Sequence, residues 1–122
     1  MKLRIKGNSL RLRVTQTEMA LLAQAGSIEE TIRFGPEPEA RLTYALAVAE
    51  SGDDIRMEYK AQRVTVVVSR AALRHWSRAS EVGIYGESAG ISLVVEKDFA
   101  CLDGDDPVDE DAFPNPKSGV AC

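Results

Sequence analysis

Lys2, Arg4, Lys6, Arg11 and Arg13 alternate with apolar residues on either side of a Gly-Asn pair, so five cations share one face of a predicted hairpin whose strands lie ~5 Å apart. A cluster of this kind can hold phosphate or a nucleic-acid backbone by charge alone. No aromatic residue interleaves the cations, as a platform for stacked single-stranded bases requires, so nucleic acid is not the partner expected. The other reading is a solvated outer face of an antiparallel sheet. One observation bears on the choice. Shifted by 54 positions, the matching residues are Arg56, Glu58, Lys60, Thr65 and Val67, so the fold itself does not demand a basic face.

A second chemical candidate sits near the chain's close. Asp98, Cys101 and Asp103 could ligate a metal, and Asp103, Asp105, Asp106, Asp109, Glu110 and Asp111 supply hard oxygen donors. A calcium loop of the EF-hand type fails, because its fifth position would be Pro107 and no glycine follows. A charged, solvated tail accounts for the same residues. Nucleophilic or acid/base catalysis has little to work with. His75 is the only histidine and stands between Arg74 and Trp76 on a predicted helix, where a surface or packing role suffices. No phosphate-binding loop, dinucleotide fingerprint or GxSxG is present. The chain therefore reads as a non-enzymatic binding or protein-interaction protein without a cofactor. The alternative is a small enzyme or metal-dependent protein with its site near the Asp98 to Asp103 junction.

The elements that would position these residues come from a repeat. Residues 2–34 and 56–88 share one apolar pattern without a gap, with Leu10, Leu12 and Val14 matching Val64, Val66 and Val68. Thr15 matches Ser69 as a helix N-cap, and Glu18 completes a capping box in the first copy alone. Met19, Leu22, Ala25 and Ile28 fall on Leu73, Trp76, Ala79 and Val82, so Trp76 should face the core. Each copy reads hairpin, cap, helix, strand. Helix one is expected from about Gln16 to Ala25 with Gly26 ending it, and Ile28, Ile32 and Phe34 mark a third strand. Gly7-Asn8 can supply the positive φ angles of a tight turn. An apolar strand follows each copy (42–49, 91–97), which extends the unit to ββαββ. The fold class expected is α+β: two pseudo-repeated ββαβ(β) units forming antiparallel sheet with two helices, sharing one core about a pseudo-twofold axis, plus a C-terminal acidic arm.

Charge divides the chain. Residues 1–95 hold 13 Lys+Arg against 11 Asp+Glu, and residues 96–122 hold 2 against 8, so a slightly basic α+β domain is followed by an acidic tail. At 122 residues one domain can bury a core unaided. Cys101 and Cys122 fit no metal-finger spacing and read as free thiols of a reducing compartment. No signal core or membrane-length apolar stretch is present, so a cytoplasmic location with no membrane partner is expected.

The opening KLRIKGNSLRLR, the central SEVGIYGE and the closing VEKDFACLD followed by acids and FPNP resemble a family of small bacterial proteins carried as a domain of unknown function. The resemblance spans nearly the whole chain and implies a compact bacterial cytoplasmic protein. It transfers no activity, substrate or catalytic residue. It does fall on the segments that charge singles out. The tail is expected to fold back on Leu102, Val108 and Phe113, bringing its carboxylates near the cationic hairpin and gating it against an external anion.

Overall fold

Strict alternation in the opening segment yields β1 (Lys2–Lys6) and β2 (Ser9–Val14), an antiparallel hairpin with Leu10, Leu12 and Val14 buried. The computed structural model describes residues 1–78, 80–99 and 113. After the hairpin comes α1 (Gln16–Ala25), started by Thr15 and Glu18, which satisfy each other's backbone N–H groups. Gly26, at φ 87, ends it in the left-handed conformation that favours glycine. β3 (Ser27–Arg33) and β4 (Arg41–Ala49) close the first half. Phe34 lies beyond β3, 69% exposed. β5 (Ile55–Lys60), β6 (Arg63–Ser69), α2 (Arg70–Trp76), β7 (Gly83–Ser88) and β8 (Ile91–Lys97) repeat the order in the second half.

The hairpins assemble into two four-stranded sheets, β1-β2-β8-β7 and β3-β4-β6-β5. Each hairpin is antiparallel, as its pattern implies. The central seams are not: β2 runs parallel to β8, and β4 parallel to β6. Each sheet thus takes one hairpin from each half of the chain. Short-range alternation reveals a hairpin but not its distant partner, and parallel pairing needs a long crossover, so the expected all-antiparallel arrangement becomes two mixed sheets.

Inward residues of both sheets, among them Leu12, Val95, Leu46 and Val66, form one cluster with Met19 and Leu22 of α1 and Leu73 and Trp76 of α2. Trp76 is fully buried as its spacing predicts, and its indole N–H donates to the Val82 carbonyl at 3.0 Å.

One local expectation is corrected. Of the Gly7-Asn8 pair only Gly7 has positive φ. α2 ends at Trp76 and is shorter than α1, with Ser77 capping it in the right-handed region. β8 runs through Lys97, as the apolar strand expected over 91–97 does. Among the described residues no helix is long and apolar enough to cross a membrane.

Candidate functional site

Register places the sequence-predicted cations in cross-strand rows on the outer face of the β1-β2-β8-β7 sheet. Lys2 opposes Arg13, which opposes Glu96. Arg4 opposes Arg11, which opposes Val94, which opposes Tyr85. Lys6 opposes Ser9, then Ser92 and Glu87. The five cations are therefore brought together, with two rows pairing like charges directly across β1 and β2, an arrangement that costs stability.

Two carboxylates offset part of this charge. Glu96 accepts from Arg13 Nε at 2.7 Å and lies 3.5 Å from Arg11. Asp98, almost buried, pairs with Lys2 at 3.0 Å. The side chains of Arg4 and Lys6 make no hydrogen bond or ion pair with the described residues, and both are exposed. The face thus has a compensated end at Lys2 and Arg13 and an open end at Arg4 and Lys6.

Beyond β8 the chain is pinned. The Asp98 N–H donates to the Val14 carbonyl at 2.8 Å, holding the end of β8 beside β2. Phe113 returns to this point: its N–H donates to the Asp98 carbonyl at 2.8 Å, and it bridges Phe99 in parallel. Its ring meets Phe99 edge-on at 6.2 Å and packs against the core. Lys97 Nζ lies 5.2 Å from the ring centroid, within cation–π range, and donates to the Arg78 carbonyl at 2.6 Å. Burial lowers the Lys97 pKa from the ordinary lysine value, against an opposing pull from Glu81.

Of the three expected anchors, Phe113 is seated, while Leu102 and Val108 lie outside the described residues, as do Cys101 and Asp103. Asp98 is engaged with Lys2, and no group of three metal-ligating side chains occurs among the described residues. His75 is on the exposed surface of α2, 3.2 Å from Glu81.

Sequence reasoning missed Glu96, Tyr85 and Lys97. Glu96 and Tyr85 join the face only through the seam with β8, for which no local signal exists. Lys97 was legible. In ISLVVEK the inward positions are Ile91, Leu93, Val95 and Lys97, so a lysine continues an apolar series. Its register counterpart in the other sheet is Val48, since Val14 pairs Lys97 as Val68 pairs Val48.

The model of a family of unknown function, DUF7009, matches residues 1–117. No curated protein and no solved structure shows a significant match. The chain belongs to this family of unknown function.

Proposed function

We propose, for this member of a family of unknown function, that the chain is a non-enzymatic binding protein whose outer basic face takes an anionic partner and whose acidic arm competes for that face. The observation that carries this reading is the in-register opposition of Lys2 to Arg13 and of Arg4 to Arg11, with Arg4 and Lys6 left uncompensated. Like charges directly opposite one another are unfavourable in a sheet, and an anion laid along the rows relieves them. The other sheet shows that the topology does not require this. Its corresponding pairs are Arg56 with Val67 and Glu58 with Thr65.

Phe113 supports the competition. Residues 100–112 hold six acids, and the chain on both sides of them is fixed at the β8 end, Phe99 against Phe113. Thirteen residues out and back reach roughly 20 Å at ~3.4 Å per residue. The rows from Lys2 to Lys6 span only about 14 Å by the same rule. The acids can therefore cover the whole face from this tether. Exposed pairs are worth only ~0.2–1 kcal/mol each, so an external polyanion can displace them.

The test is titration of the full chain with linear polyphosphate at low and high salt. Replacing Asp103, Asp105, Asp106, Asp109, Glu110 and Asp111 by Asn or Gln, with Phe113 kept, should tighten binding at least ~10-fold, about 1.4 kcal/mol, at low salt. Arg4→Ala with Arg11→Ala should abolish the gain. Absence of binding by both forms would sink the reading, and equal affinity of the two would remove the competition.

A further inference from the structure

A second concavity lies at the β7 edge of the β1-β2-β8-β7 sheet, where α2, the turn before β5 and the start of β7 meet. It has a volume of about 390 Å³, within the range of small-ligand sites. Its lining is chemically one-sided. Asp54, His75, Glu81 and Tyr85 supply the functional groups, while Ala71, Ala72 and Ile84 supply apolar wall above the buried Trp76. Among the described residues no Lys or Arg lines it, in a chain that carries 15 of them.

The polar groups come from four segments: the turn before β5, α2, the α2–β7 connection and β7. Asp54 is fixed through its backbone, whose carbonyl accepts from the Ser69 N–H at 3.1 Å at the start of α2. Its carboxylate makes no hydrogen bond or ion pair with the described residues. Glu81 is positioned by a backbone bond from its N–H to the Arg78 carbonyl, 3.1 Å, and its carboxylate meets His75 Nε2 at 3.2 Å. Tyr85 presents an exposed ring on β7. The Cβ of a residue replacing Gly86, one position on, would run into Ile55 Cγ2, so β7 is held close against β5 immediately beyond the cleft.

We infer that this cleft binds a guanidinium group carried on a short aliphatic stem. Two of the lining carboxylates, Asp54 and Glu81, offer the planar, bidentate acceptors that a guanidinium matches, and the exposed Tyr85 is among the lining residues. The alanine pair and Ile84 accommodate the methylenes, which are buried while the charged head stays at the polar rim. Among the described lining side chains an anion finds little beyond the imidazole and the Tyr85 hydroxyl to donate to it, and both acids repel it. The cleft therefore selects the charge opposite to that taken by the basic face, and the two proposals stand or fall separately.

The group could be carried by a free small molecule or by an arginine of a partner segment, and the experiment separates these. Full-length protein labelled with ¹⁵N is titrated with agmatine, with acetyl-Gly-Arg-Gly-amide, and with n-butanol as the uncharged control, up to about 10 mM. Saturable shifts of the Ala71, Ala72, Gly83 and Tyr85 amides with agmatine or the peptide, and none with n-butanol, are expected. The stronger of the two identifies the source. Asp54→Asn and Glu81→Gln should each weaken binding at least ~10-fold, the size of a lost charge-assisted hydrogen bond, and Tyr85→Ala should weaken it as well. Both acids are at or near the surface, so an unchanged amide spectrum of the free variants shows that they fold. Failure of both guanidinium probes to saturate overturns the inference, as does binding that the Asp54 and Glu81 variants leave unaltered.

Discussion

Lys97 occupies a position that the other sheet fills with valine, and its ammonium is held by one carbonyl and one aromatic ring. Its lowered pKa has a definite consequence for stability. Below the folded-state pKa the lysine is charged both folded and unfolded, and the full burial penalty applies. Between that value and the ordinary 10.5 the unfolded chain binds more protons than the folded one, so stability rises with pH across this window. Above it the group is neutral in both states. Guanidinium unfolding of the wild type and of Lys97→Met between pH 8 and 11 should show an alkaline gain in the wild type that the variant lacks. Parallel profiles would mean that the ammonium is effectively solvated. At this scale the sequence was informative wherever a residue's neighbours are local: the Thr15 and Glu18 capping box and the burial of Trp76 follow from spacing alone. It was silent on Glu96 between Arg11 and Arg13, because that contact joins residues 83 apart.

The two equivalent hairpin turns solve the same problem differently. Between β1 and β2 Gly7 takes the positive φ, whereas between β5 and β6 it is Ala61 at φ 52 and Gln62 at φ 61. Residues with a Cβ pay roughly 1–2 kcal/mol in that region, and glycine or asparagine much less. The double change Ala61→Asn with Gln62→Gly should therefore raise the free energy of unfolding by about 1 kcal/mol or more, and the midpoint of a denaturant titration would reveal it. A midpoint that falls instead would mean that the Gln62 side chain contributes more than its backbone costs. Element positions were largely legible, since alternation, caps and turn composition are short-range signals. The pairing of elements was not: nothing in residues 9–14 names residues 92–97 as their neighbours.

For the whole molecule, the exchange of hairpins means that neither half contains a complete sheet. Residues 1–54 hold β1 to β4 and both of their seam strands, β2 and β4, but the partners β8 and β6 lie in residues 55–122. Expressed separately, the two pieces should each lack dispersed amide resonances, and mixing them should restore a 1:1 complex with the spectrum of the intact chain. A first piece that is folded and monomeric by itself would show that the parallel seams are dispensable. The seam also sets a clock. Ser9 pairs with Ser92, and at about 5–20 residues per second a ribosome takes roughly 4–17 s to make the intervening chain. Throughout that interval the newborn β1-β2 hairpin carries Leu10, Leu12 and Val14 with an edge that nothing covers, the condition under which strands join the wrong neighbour. Its opposite face meanwhile bears Lys2, Arg4, Lys6, Arg11 and Arg13, so two nascent chains approaching one another are pushed apart by their charge before either has made its last strand.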